Sequence, residues 1–234
     1  LIGYAEDCEI TNCSATGTIS SDEEGNAIGG LIGYCEDSTV TDCSASVDVT
    51  GGCYTYIGGL LGYCSENGIY ESYATGNVAG SIVRAGGLIG MSIDSAAYNN
   101  YASGDVTGGE ESVVGGLIGF SAYTAVSFGY WNSDAVHTLN GETVTDKKGV
   151  GECFESGEDG TLSKTSEQMK SDDFAGLLNE NRPEELSNSW AIIEAVNNSY
   201  PVLAVTVTFD KNGGHTEAEP TSMAAAFGHA LCSL

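Results

Sequence analysis

Positive charge is scarce in this chain. Its 234 residues hold 7 Lys and Arg against 33 Asp and Glu, a formal net charge of −26. Arg84 is the only basic residue before Lys147, while residues 1–146 carry 19 acidic ones. Nucleic-acid binding needs Lys and Arg to neutralise phosphates, and an anionic membrane surface needs the same charges, so both partners are excluded. Proline is nearly absent, at 3 residues. No run of about 18 apolar residues occurs, so no spanning helix is expected. Also missing are Cys-x-x-Cys pairs, a His-Glu-x-x-His helix, a Gly-x-Ser-x-Gly elbow, an EF-hand loop and the calcium nonapeptide of β-rolls. Each absence removes a chemistry that needs that spacing. General disorder is excluded too, because a 41% hydrophobic share can build a core.

Glycine is abundant, at 33 residues, and it is periodic. The segment Gly-Gly-Leu-Ile-Gly recurs with its Leu at Leu1, Leu31, Leu60, Leu88 and Leu117, at intervals of 30, 29, 28 and 29. A second landmark follows each Leu at one fixed offset, at Ala15, Ala45, Ala74 and Ala102, with Trp131 in the degenerate fifth copy. Around it the sequence alternates small or β-branched residues with polar ones, as in Ala45, Val47 and Val49. Period two means strand. One copy cannot bury such a face alone, whereas stacked copies bury it continuously. The expected fold is therefore mainly β: a right-handed parallel β-helix (β-solenoid) of about five coils. An up-and-down barrel or sandwich is the structural alternative. Leu1 falls in mid-repeat, so the chain reads as a fragment.

The repeats resemble the GLUG motif family. The residues that carry the likeness are Gly29-Gly30-Leu31-Ile32-Gly33, Gly58-Gly59-Leu60-Leu61-Gly62, Gly86-Gly87-Leu88-Ile89-Gly90 and Gly115-Gly116-Leu117-Ile118-Gly119, with Tyr73-Ala74-Thr75-Gly76 and Tyr101-Ala102-Ser103-Gly104 downstream. The resemblance implies a large secreted or surface protein of bacteria, adhesin-like or an immunoglobulin-A-cleaving peptidase. It implies a scaffold and not a defined ligand.

Composition shifts near Asp134, giving a solenoid over 1–134 and a small α+β cap over 135–203. Gly149 to Gly160 reads as a loop. Ser171-Asp172-Asp173 before Phe174, Leu177 and Leu178 predicts a capped helix that Pro183 stops. Trp190–Ile193 and Tyr200–Leu203 read as short strands around an Asn197-Asn198 turn. Residues 204–234 resemble the opening of a Listeria–Bacteroides internalin-type repeat, through Val205 to Gly214, as a truncated β module. Residues from about 215 onward are expected to be poorly ordered in isolation.

Three side-chain sets stay open on sequence. Among eight cysteines, Cys13 and Cys43 share one column, and Cys35 and Cys64 another. Stacking puts such pairs within disulfide reach, or makes them buried thiols. Glu6-Asp7, Glu36-Asp37 and Glu66 form an acidic ladder that could hold calcium or simply face water. Tyr4, Tyr34 and Tyr63 form one aromatic column and Tyr73, Tyr101 and Tyr130 another, for sugar stacking or for the core. No catalytic, metal or cofactor-binding residue is assigned, and no cofactor is expected. The chain reads as a non-enzymatic, rigid acidic stalk or display scaffold at the cell surface or outside the cell. Two alternatives are an accessory region of a large secreted peptidase and a carbohydrate-binding or carbohydrate-processing β-helix. The partners implied are a host or bacterial surface protein or a glycan, and the rest of the parent chain at both ends.

Overall fold

The computed structural model describes residues 1–154, 159–183, 188–208 and 222–226. They divide into two compact units, Leu1–Ser166 and Glu167–Leu234.

The first unit is a β-solenoid of about five turns, in which strands pair in parallel with their counterparts one repeat away, while the short strand Glu142–Thr143 pairs antiparallel with His137–Leu139. One sheet stacks Ile2–Glu6, Ile32–Glu36, Leu61–Ser65, Ile89–Ile93, Ile118–Ala122 and Val150–Phe154. Its register joins Ile2 to Ile32, Ile32 to Leu61, Leu61 to Ile89 and Ile89 to Ile118, the columns read from the sequence. Ala15, Ala45, Ala74, Ala102 and Trp131 likewise stack in one column. Leu31, Leu60, Leu88 and Leu117 are buried with Ile32, Leu61, Ile89 and Ile118 beside them, Ile2 is partly buried, and Val47, Val49 and Val78 belong to the same core.

The repeated glycines mark a seam where backbones approach too closely for a side chain. A Cβ on Gly62 would collide with the Ile28 backbone nitrogen and come within 2.8 Å of the Ala27 carbonyl carbon and the Gly33 oxygen. A Cβ on Gly59 would sit 2.8 Å from the Ala74 Cβ. This contact explains why small Ala recurs at one offset from each Leu: it faces the glycine of its own turn.

Two further corners bend the chain in each turn by a different means. Asp7, Asp37, Glu66, Asp94 and Tyr123 adopt left-handed φ between 46° and 57°. Asn12, Asp42, Glu71, Asn99 and Phe128 form the next corner of each turn, with φ between 51° and 56°. Short polar Asn and Asp tolerate this region better than other non-glycine residues. The acidic ladder of the sequence is thus a column of corner residues.

Beside these corners run interior polar ladders. The backbone N–H of Ser38 donates to Asn67 Oδ1 at 2.7 Å, and Asn67 N–H donates to Ser95 Oγ at 3.1 Å. Asn67 Nδ2 donates back to the Cys35 carbonyl at 2.7 Å. The second corner repeats this: Cys43 N–H donates to Ser72 Oγ, and Ser72 N–H to Asn100 Oδ1. These bonds satisfy corner amides that the sheets leave without a ladder partner.

Parallel pairing continues past the composition shift at 134. Val106 pairs with His137, Ile118 with Val150, and Tyr130 with Leu162. The expected loop at 149–160 is corrected for Val150–Phe154, which is a strand. Val150 pairs with Ile118 in the ladder, and Gly151 follows it as Gly119 follows Ile118, so edge pairing outweighs loop-like composition.

In the second unit, Ser171 caps the helix Asp172–Glu180 by accepting a hydrogen bond from Phe174 N–H, and Phe174 and Leu178 are buried. Asn179 holds Trp190 by two backbone hydrogen bonds of 2.8 Å. Ser189–Ala191, Val202–Thr208 and Ser222–Ala226 form an antiparallel sheet. The middle strand runs across the expected division at 203/204, so the two short apolar runs there form one element. The expected turn at Asp210–Gly214 lies outside the described residues, as do 215–221 and 227–234.

Candidate functional site

The two tyrosine columns separate. Tyr73, Tyr101 and Tyr130 are buried, and the rings of Tyr73 and Tyr101 stack with centroids 4.9 Å apart and planes 4° apart. This column belongs to the core. Tyr4 is instead 55% exposed, while Tyr34 and Tyr63 are half-buried. Their column continues through Met91 and Phe120 to Glu152. The Tyr34 and Tyr63 rings lie 5.3 Å apart, and Tyr63 reaches Tyr56 of the neighbouring sheet at 5.7 Å. An aromatic track thus runs along one side of the solenoid.

Arg84 stands at one end of that track. Strand register stacks it between Tyr56 and Val113. Its guanidinium lies 5.0 Å from the Phe120 ring centroid and 6.0 Å from that of Tyr56. Cation–π attraction of this kind holds a guanidinium in place without neutralising it. Its Nε is buried with no hydrogen-bond partner. Among the described residues no carboxylate forms an ion pair with it, although acidic residues outnumber basic ones 33 to 7 in the chain. Beside it lies a groove of about 230 Å³ lined by Tyr54, Tyr56, Ile82, Arg84, Glu111 and Val113. Tyr54 is 64% exposed. The other end of the track is acidic. Tyr4 OH donates to Glu36 at 2.8 Å with Glu6 3.2 Å away, and the Glu36 bond, joined by the charges of Glu36 and Glu6, pushes its pKa up to about 12.

A second cavity, of about 290 Å³, lies near the last turns, lined by Ser112, His137, Val144, Asp146, Lys148 and Glu152. His137 continues the Val49, Val78 and Val106 column and is 1% exposed. Neither ring nitrogen has a hydrogen-bond partner. Burial lowers its pKa to about 4, the Lys147 charge adds to that shift and Asp105 opposes it.

All seven described cysteines are free thiols. Cys43 donates to the Thr41 carbonyl at 3.3 Å and Cys64 to Ser92 Oγ at 3.3 Å. Burial raises Cys35 to about 11 and Cys43 and Cys64 to about 12, so these thiols stay protonated and serve as small core residues. Among the described residues no three His, Cys, Asp or Glu side chains converge as metal ligands. No helix of the described residues is long and apolar enough to cross a membrane.

Sequence reasoning places Tyr4, Tyr34 and Tyr63 in one column but does not reach Tyr56 and Arg84 beside it. A signal exists, since Tyr56 and Arg84 stand one repeat apart and pair in register. His137 is likewise hidden in a valine column, one repeat after Val106.

The repeat and the fold define a class: a parallel β-solenoid carrying the GLUG motif, which is matched over residues 1–20 and 24–50. No curated protein matches the chain. Among solved structures, the chain is similar to a protein of Bacteroides ovatus assigned as a candidate immunoglobulin A1 protease, with a TM-score of 0.60 at 22% identity. The match covers 83% of this chain and 57% of that one, so the chain spans little more than half of its neighbour. At this identity the likeness shows the fold.

Proposed function

We propose that this chain is a non-enzymatic scaffold segment of a larger secreted or cell-surface bacterial protein, and that it extends or displays neighbouring parts of that protein. The observation that carries this reading is the unbroken side-chain register from Ile2 to Val150, with each rung hydrogen-bonded to the next. Such a stack resists local opening, because each turn is held on both sides. The net negative charge keeps the surface solvated. Proteinase K digestion tests the reading: a core ending near Ser166 should outlast the rest of the chain. Rapid cleavage inside the turns would refute a rigid scaffold. Immunolabelling of intact cells that carry the parent protein tests the location, and labelling only after permeabilisation would refute it.

The Bacteroides ovatus neighbour supports a second reading, an accessory region of a secreted peptidase. Deleting residues 1–166 from the parent protein should then weaken cleavage of immunoglobulin A1 and leave a short peptide substrate unaffected. Unchanged cleavage of both would reject that reading.

A further inference from the structure

We infer that the groove at Arg84 binds a pyranose ring bearing a carboxylate, with the acid group on the guanidinium and the sugar face on the tyrosines. Three observations lead there. First, Arg84 is the single cation of residues 1–146, and it is spent on no protein carboxylate among the described residues. A surface arginine in so acidic a chain would ordinarily satisfy its fork with a neighbouring carboxylate, the geometry it fits best. Here Phe120 and Tyr56 hold the guanidinium and its Nε is buried, so its charge and its terminal Nη donors remain for a ligand.

Second, the groove is built from flat rings and not from aliphatic side chains alone. Tyr54 is mostly exposed at its mouth, and Tyr56 forms its wall. An exposed ring gives a flat apolar surface that a sugar's C–H face can cover, with its hydroxyls left at the edge. A volume of about 230 Å³ lies below the usual range for drug-sized ligands, roughly 300–1,000 Å³, and suits one ring of a longer chain.

Third, the groove contains an acceptor as well as a donor. Glu111 lines it beside Arg84. An inorganic anion would meet repulsion from Glu111 and from the −26 field, with Arg84 alone to offset it and no use for the rings. A polyhydroxylated acid offers hydroxyls for Glu111 to accept from, a carboxylate for Arg84 and an apolar face for the rings. The carboxylated ring suits a uronic acid or a sialic acid equally. The proposal does not rest on the scaffold reading, since a stalk or an accessory region could carry the groove.

The test is isothermal titration of the full 234-residue chain with oligogalacturonate and with 3′-sialyllactose, each beside its neutral counterpart, methyl-esterified oligogalacturonate and lactose. At least one acid should bind, and its neutral counterpart at least about tenfold more weakly, the loss expected for one charge-assisted pair. Arg84→Gln should cost the same factor, and Tyr54→Ser about fivefold through lost ring contact. Lys164→Gln should leave affinity unchanged, because Lys164 lies over Tyr130, away from this groove. Oligogalacturonate binding alone assigns a uronate, and sialyllactose binding alone a sialic acid. The proposal is overturned if neither acid binds at about 10 mM, a concentration that would detect even millimolar affinity. It is also overturned if the neutral sugars bind as well, or if Arg84→Gln and Tyr54→Ser both retain full affinity. Should Arg84→Gln fail to fold, the exposed Tyr54→Ser variant and the acid-to-neutral ratio still decide.

Discussion

The middle turns of the solenoid and its last turns share one backbone register but fill it with different side chains. In the middle turns a buried Leu, a small Ala and a seam glycine meet, as in Leu60, Ala74 and Gly59. At the end, Trp131 takes the Ala position, and Gly149 lies where the Leu column would continue. The exchange conserves volume. A Cβ on Gly116 would lie 2.6 Å from the Trp131 ring, and a Cβ on Gly149 would lie 2.6 Å from its Nε1. The indole thus fills the space the missing leucine leaves, and the glycines on either side make room for it. Backbone pairing sets the rung, and side-chain volume is traded within it.

The comparison predicts its own failures, beginning with the largest. Trp131→Ala should cost about 3–5 kcal/mol in urea denaturation, since it empties a filled site. A leucine restored at Gly149 would also meet Thr161, so the rescue carries Thr161→Gly, the residue type of Gly129 one turn before. Adding Gly149→Leu and Thr161→Gly to Trp131→Ala should recover part of the loss by recreating a middle turn, whereas Gly149→Leu alone should destabilise. Simple addition of the separate effects would break the volume-exchange account. In the middle turns, Gly62→Ala should cost about 3 kcal/mol, because backbone atoms cannot move aside. Gly3→Ala, in the same column, should change stability by less than about 0.5 kcal/mol, because nothing lies within 4 Å of its Cβ. Equal effects would mean that the seam is not steric.

His137 sharpens the contrast through pH. Its folded pKa of about 4 lies below the ordinary 6.5. Between those values the unfolded chain binds a proton that the folded chain refuses, so stability falls as pH drops from about 6.5 to about 4 and levels below that. The full span is about 3 kcal/mol. His137→Val restores the residue type of Val106 and should flatten that part of the profile. An unchanged slope in thermal melts across this range would show that other groups control it. Smaller again, Asn67→Ala should cost about 1–3 kcal/mol, because it leaves the Ser38 amide and the Cys35 carbonyl without their partner. The smallest effect expected at a corner is a gain. Tyr123→Asn places a residue suited to left-handed φ at a corner held at 52°, and should stabilise by about 0.5–1 kcal/mol in the same assay.

These cases also show what is legible in the sequence. The Leu, Ile, Gly and Ala columns are readable because their constraint is steric and, in the middle turns, admits only residues of similar size. The corners are not, because Asp, Asn, Glu, Tyr and Phe all occur there, and left-handed backbone leaves no single residue signature. The last rung escapes because it keeps only Val150 and Gly151 of the motif, and the backbone pairing that defines it is indifferent to side chains. The groove is only half legible. Tyr56 and Arg84 share a column, but Tyr54 and Glu111 reach it from left-handed backbone positions, at φ of 55° and 58°, that the repeat does not mark. Sequence cannot tell the free thiols from disulfides, since columns fix backbone spacing and not side-chain direction.

The in-register stack has a consequence for growth. Since each middle rung presents the next with the same hydrogen-bonding edge and the same kinds of side chain, removing or duplicating one whole middle repeat rejoins like with like. The molecule can therefore change length in steps of one strand spacing, about 4.8 Å, without redesigning any interface. Slippage by one or two residues would set a glycine against a leucine along the seam. Duplication thus works like a ratchet that accepts only integral turns, and reach becomes a quantity that recombination can tune.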